Sequence, residues 1–139
     1  ADAAAELPTL FPTGCMRTYF EVEHPECAQG DTTSATRVAL IGDSFAAMWA
    51  PALRQIAEQR QWRLEVLTKA GCPMMNLPIY NVYLHREYTE CEQWRDQIVS
   101  RLRAEPPQLI VMSMWRAYED GWGFTSYDPE WISNLTHLV

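Results

Sequence analysis

One stretch constrains the fold more than any other: Arg37-Val38-Ala39-Leu40-Ile41-Gly42-Asp43-Ser44-Phe45-Ala46-Ala47-Met48-Trp49. An apolar run stops at Gly42-Asp43-Ser44, and small, helix-compatible residues follow without a spacer. The pattern predicts a buried strand over 37–41, a tight turn, and a helix beginning within a residue or two of Ser44. Such a turn sets the serine hydroxyl at the carboxyl end of a strand and the amino end of a helix, where ligands bind in open α/β sheets. Two roles fit that position: Ser44 as a nucleophile, or Ser44 as no more than the helix cap.

Around this stretch the chain alternates. Residues 1–36 carry no sustained period and are punctuated by Pro8, Pro12, Gly14, Pro25 and Gly30, so they read as an irregular leader before a single domain over 37–139. Trp49, Leu53, Ile56 and Ala57 recur at helical spacing, with Pro51 expected to kink that segment or begin a second piece. A second strand is expected over 62–67. The loop that follows, 68–88, is long for a compact domain, as functional or tied-down loops often are. Thr89-Glu90-Cys91-Glu92 fits a capping box, and Trp94, Ile98, Val99 and Leu102 form the buried stripe of the next helix. Arg95, Asp96, Arg101 and Arg103 then face water, and Pro106-Pro107 stops the helix. A third strand, 109–114, is apolar enough to be buried on both faces. Asp128-Pro129 opens a last helix with Trp131, Leu135 and Leu138 inward.

Strands alternating with helices imply parallel pairing, right-handed crossovers and a three-layer α/β/α sandwich. Three strands are few, and the last helix runs into Leu138-Val139 without a capping residue. Both ends therefore read as internal to a larger protein, with the domain truncated at its carboxyl end and more of its sheet beyond Val139.

Composition narrows the function classes. At 139 residues the chain can bury one core, and its net charge of −7 disfavours nucleic acid and anionic membrane surfaces as partners. No apolar run approaches the roughly 20 residues of a membrane span. None of the four cysteines sits in a Cys-x-x-Cys arrangement, so structural zinc is a poor reading, and no motif asks for another metal or a cofactor. Local pairing, Cys15–Cys27 and Cys72–Cys91, would close two surface loops, although three connectivities are open. Such bonds would place the domain in an oxidising, exported compartment.

A serine nucleophile needs oxyanion donors and a base. Gly71, after the second strand, can bring its amide close to a substrate and join the Ser44 amide; alternatively it is only a strained turn before a cysteine. The three histidines, His24, His85 and His137, each read as solvated surface residues. Asp128 cannot serve His137, because nine helical residues span about 13.5 Å. The base is missing from the visible pattern. A second class of function is a non-catalytic module holding a glycan on Trp49, Trp115, Tyr118 and Trp122. A phosphate-binding, receiver-like module shares the strand-to-helix turn but lacks a Gly-rich loop with Lys.

Four segments together resemble a known family: Ile41-Gly42-Asp43-Ser44-Phe45-Ala46, Leu67-Thr68-Lys69-Ala70-Gly71-Cys72-Pro73, Cys91-Glu92-Gln93-Trp94-Arg95 and Pro107-Gln108-Leu109-Ile110-Val111-Met112-Ser113. In this order they are similar to the SGNH hydrolase-like domains, in the version fused behind a multi-span acyltransferase-3 membrane domain in bacteria. The resemblance covers about residues 15–139. It implies an extracytoplasmic domain, tethered to that membrane domain, that moves acyl groups, commonly acetyl, between an acyl donor and hydroxyls of cell-surface glycans. It implies Ser44 as nucleophile, the amides of Ser44 and Gly71 as oxyanion donors, and Asp43 as a shaper of the turn. The family's acid and base lie in an Asp-x-x-His motif near the domain's end. That motif is absent here, which points to a remaining carboxyl-terminal fragment as the source of the pair. Phe45 stands where these fused domains often carry His. The Asn that many relatives supply after the third strand is replaced by the region of Ser113, Trp115 and Arg116, so Phe45, Trp115 and Arg116 become candidate substrate contacts.

Overall fold

The computed structural model describes residues 10–115, 118, 121–122 and 129–136. Its elements are β1 (Met16–Arg17), β2 (Ala28–Gly30), β3 (Arg37–Gly42), α1 (Ser44–Ala47), α2 (Ala50–Arg60), β4 (Arg63–Lys69), β5 (Tyr80–Asn81), β6 (Arg86–Glu87), α3 (Thr89–Ala104), β7 (Leu109–Ser113) and α4 (Pro129–Thr136). β3 lies between β4 and β7 and runs parallel to both. The chain leaves β3 toward β4 on one side and reaches β7 on the other, so β3 is the switch point of the sheet. The crevice at its carboxyl end is the expected ligand position.

The unbroken apolar run of β3 follows from burial on both faces. Val38 and Leu40 pack with Leu64 and Val66 of β4 and with Ala46, Ala47, Ala50 and Ala57 of α1 and α2. Ala39 and Ile41 face the other way, into a cluster with Leu67 of β4 and with Trp94 and Ile98 of α3. Helices on opposite faces of a largely parallel sheet make the three-layer α/β/α arrangement expected from the alternation. The helical segment after Ser44 is broken as Pro51 requires: α1 ends at Ala47, and α2 opens with Pro51 in its first turn.

Four expectations are corrected. The leader is not wholly irregular. β1 pairs parallel with the carboxyl half of β4 (Met16↔Thr68) and β2 antiparallel with its amino half (Ala28↔Glu65), so two short pieces cover one edge of β4. Strands of two and three residues are shorter than any window in which a period can be read. Second, β7 is not buried on both faces: it pairs only with β3 among the described strands, and Leu109 and Ile110 are 47% and 46% exposed. Third, the capping box does not form. Thr89 is the first helical residue of α3, Tyr88 holds the cap position, and no side chain caps it. Fourth, Arg95 does not face water; it is 5% exposed and donates from Nη2 to the Leu77 carbonyl at 2.7 Å. Cys91, Trp94, Arg95 and Ile98 follow an i, i+3, i+4, i+7 pattern, so the inner stripe passes through a charged residue that the long loop then covers.

Candidate active site

Gly42 fixes where β3 must stop. It adopts φ +144°, and a Cβ there would lie 1.8 Å from the Ser113 carbonyl oxygen of β7. Only glycine lets the two strands close at this register. Asp43 follows, completely buried, and caps α1: its Oδ1 accepts from the Phe45 N–H at 2.8 Å. Its other oxygen, Oδ2, accepts from the Trp115 N–H at 2.7 Å and from the Tyr118 hydroxyl. Burial holds the Asp43 pKa above the ordinary carboxylate value, against the opposing effect of these hydrogen bonds. Asp43 therefore braces the turn to the chain that leaves β7.

Because Asp43 is the cap, Ser44 is not. Ser44 is the first residue of α1 and half-buried, and its hydroxyl makes no hydrogen bond to a described residue. Phe45 beside it is 42% exposed.

Gly71 arrives from β4. The pairing Gly42↔Thr68 aligns the ends of the two strands, and each chain then turns away at the same edge of the sheet. The approach is held firmly. Thr68 Oγ1 donates to the Cys15 carbonyl at 2.8 Å, Ala70 N–H to the Arg17 carbonyl at 2.9 Å, and the Tyr88 hydroxyl to the Ala70 carbonyl at 2.8 Å. The fully buried Lys69 ammonium donates to the carbonyls of Thr18 (2.6 Å), Tyr19 (3.4 Å) and Glu21, and lies 5.3 Å from the Tyr88 ring centroid. Burial pushes its pKa down to about 8. Gly71 itself has φ +54°, and a Cβ there would meet Trp122 at 3.0 Å and Tyr19 at 3.3 Å. Neither the Ser44 nor the Gly71 N–H is taken up by a described residue.

The histidines divide. His24 is not a surface residue: it is 5% exposed, its Nε2–H donates to the Val66 carbonyl at 3.0 Å, and its Nδ1 accepts from the Trp94 indole N–H at 3.1 Å. Burial pushes its pKa down to about 4. Both ring nitrogens are committed, so it cannot relay a proton for Ser44. His85 is exposed, in the turn between β5 and β6. Arg116, Asp128 and His137 lie outside the described residues. Both local cysteine pairs are bonded, Cys15–Cys27 and Cys72–Cys91.

The aromatic residues considered as a glycan platform are mostly packing: Tyr118 and Trp122 are 1% and 5% exposed, Trp115 is half-buried, and Trp49 alone of the four is exposed. Instead the rings form a chain, Trp115–Tyr118–Trp122–Tyr83–Tyr19–Tyr88, with successive centroids 5.3–6.2 Å apart. Sequence reasoning missed Tyr118 as the partner of Asp43 and Tyr19 as the cover of Gly71. The only available signal was aromatic density, which does not say which ring meets which turn.

No curated protein matches the chain in sequence. A solved structure, the lipopolysaccharide acetyltransferase periplasmic domain of Salmonella ser. Paratyphi A, is similar over 99% of this chain with a TM-score of 0.66 at 12% identity. The chain spans about half, 51%, of the length of that structure's chain. At that identity the likeness is one of fold. The family profile described as SGNH domain (fused to AT3 domains) matches residues 14–137. The chain belongs to this family of SGNH domains.

Proposed function

We propose that the chain is an extracytoplasmic O-acyltransferase or esterase domain that moves acyl groups, acetyl foremost, on cell-surface glycans through an acyl-enzyme on Ser44. One observation carries the reading: at the end of the central strand Asp43 takes over the capping role, which leaves the Ser44 hydroxyl and the N–H groups of Ser44 and Gly71 without a partner among the described residues, at the ends of two strands in register. The neighbouring fold of a lipopolysaccharide acetyltransferase periplasmic domain and the fusion named in the family's description support it. The two disulfides support an oxidising compartment, and the fusion supports a covalently linked acyltransferase-3 membrane domain as partner.

In this mechanism Ser44 Oγ attacks the donor's acyl carbonyl carbon and its proton passes to a histidine base. The carbonyl oxygen becomes an oxyanion facing the N–H groups of Ser44 and Gly71, and the donor's leaving group departs with the proton returned by the base. A glycan hydroxyl, or water, then repeats the attack on the acyl-serine and regenerates Ser44. Asp43 is not the triad acid, since its oxygens are occupied by Phe45, Trp115 and Tyr118. The base and its orienting acid are supplied outside the described residues. Among the described residues, Phe45 and Trp115 are the proposed substrate contacts.

Labelling of the full-length protein with a fluorophosphonate, read by peptide mass spectrometry, tests the reading. An adduct on Ser44 that Ser44→Ala abolishes is expected; a folded protein that yields no Ser44 adduct overturns it.

A further inference from the structure

The loop closed by Cys72–Cys91 carries a small hairpin, β5 paired antiparallel with β6 through Tyr80↔Glu87 and Asn81↔Arg86. Its tip is rigidly built. Asn81 is completely buried, and its Oδ1 accepts from the N–H groups of Tyr83 (2.9 Å) and Leu84 (3.1 Å). Arg86 ties the returning strand to α3 through a two-pronged ion pair with Glu90 at 3.0 and 2.5 Å. On this fixed tip Tyr83 is 68% exposed. Its ring stacks on Tyr19 at 5.7 Å and 26°, and meets the edge of Trp122 at 6.2 Å. Tyr19 and Trp122 are the two side chains that close over Gly71. A single exposed ring thus touches both covers of the proposed oxyanion-donor turn.

We propose that the solvent-facing ring of Tyr83 is the stacking platform for a neutral pyranose of the glycan acceptor, an inference that rests on the acyl-transfer reading above. An aromatic ring held flat by a second ring offers apolar area at low conformational cost, and it matches the C–H face of a sugar whose hydroxyls stay in water. The hairpin does not need this exposure for its own stability, because its fixing contacts run through Asn81, Arg86 and the disulfide. Charge selects the ligand: the chain is strongly acidic, and the Arg86 guanidinium at the hairpin is already paired with Glu90, so a phosphorylated or carboxylated polymer finds no free cation on the hairpin among the described residues. A neutral ring seated on Tyr83 would hold its glycan beside Tyr19, whose ring also covers Gly71. Tyr83 is then a specificity-determining contact for the acceptor, separate from the nucleophile.

Titration of the chain carrying Ser44→Ala with methyl pyranosides of glucose, galactose, mannose and rhamnose, followed by NMR shifts and Trp122 fluorescence, tests this without any acyl chemistry. At least one glycoside should bind saturably in the millimolar range with shifts centred on Tyr83, Tyr19 and Trp122. Tyr83→Ala should weaken it at least tenfold while leaving the melting temperature unchanged, and Tyr83→Trp should retain or tighten it. Absence of saturable binding by all four glycosides overturns the proposal, as does binding that Tyr83→Ala leaves intact. Shifts at Tyr83 that arise from self-association or phosphatidylglycerol vesicles in place of the sugars overturn it too. Sugar binding without a fluorophosphonate adduct on Ser44 would sink the nucleophile reading alone, and an adduct without sugar binding would sink this one alone.

Discussion

His24 is a buried imidazole that the fold keeps neutral, and that makes acid stability a quantitative test of the structure. Removal from water pushes its pKa from 6.5 to about 4, the nearby Arg101 guanidinium acts in the same direction, and the bond to the Val66 carbonyl opposes both. The folded pKa lies below the unfolded one. The unfolded chain therefore binds the extra proton first as pH falls, and stability present above pH 6.5 is lost through the window down to about 4. For a single site with those two values, lowering the pH from 7.5 to 5 removes about 2 kcal/mol, and the full loss below 4 approaches about 3 kcal/mol. Urea unfolding of the wild type and of His24→Gln at both pH values isolates this contribution, because the carboxylates that also titrate are common to the two chains. The variant should be less stable at pH 7.5 by about 1–3 kcal/mol, through imperfect pairing with Trp94 and Val66. Its additional loss at pH 5 should be smaller than that of the wild type by about 2 kcal/mol. Equal losses in the two chains, or an imidazole whose NMR titration centres near 6.5, would refute the burial argument and reopen His24 as a candidate proton carrier.

Three further perturbations follow from named contacts. Gly42→Ala drives a Cβ into the Ser113 carbonyl and must part β3 from β7 next to Ser44; a loss above about 3 kcal/mol in urea unfolding is expected, and a well-tolerated alanine would contradict the register. Lys69→Met leaves the carbonyls of Thr18, Tyr19 and Glu21 without their shared donor, for about 2–4 kcal/mol, with a matching fall in thermal midpoint by calorimetry. Replacing Cys72 and Cys91 together by alanine should cost about 3 kcal/mol by loop entropy and speed hydrogen exchange across residues 79–88, where the Tyr88 N–H now bonds the Ile79 carbonyl.

The strand–turn–helix at Ser44, the break at Pro51 and the inward face of Trp94 and Ile98 were legible because each is a local pattern with its own physical cause. What escaped the sequence depends on partners far along the chain. His24 is buried because Val66 and Trp94, 42 and 70 residues away, satisfy its two nitrogens. Lys69 is buried because backbone carbonyls some 50 residues earlier curl around its ammonium. A carbonyl acceptor belongs to every residue type, so such a pairing leaves no trace in composition or spacing. The exposure of Leu109 and Ile110 escaped for the opposite reason: an apolar strand reads the same whether or not a neighbour covers it.

The same pairings bear on how the turn at Ser44 is arranged. Asp43 and His24 are two residue types that acyl-transfer chemistry uses as acid and base, yet each has spent both of its polar atoms on holding the fold. A third ionisable group, Lys69, fixes residues 18–21 and through Tyr19 the cover of Gly71. On the proposed reading, these groups preorganise the position of the nucleophile and of its oxyanion donors, and none of them raises the reactivity of the Ser44 hydroxyl. Geometry and activation are then supplied by different parts of the protein. Damage to the brace, as in Asp43→Asn, should lower stability and acyl transfer together, since the amide keeps one acceptor oxygen for the Phe45 N–H but sets an NH2 against the Trp115 N–H. Loss of the activating base should instead abolish acyl transfer and leave the unfolding free energy of these residues where it is.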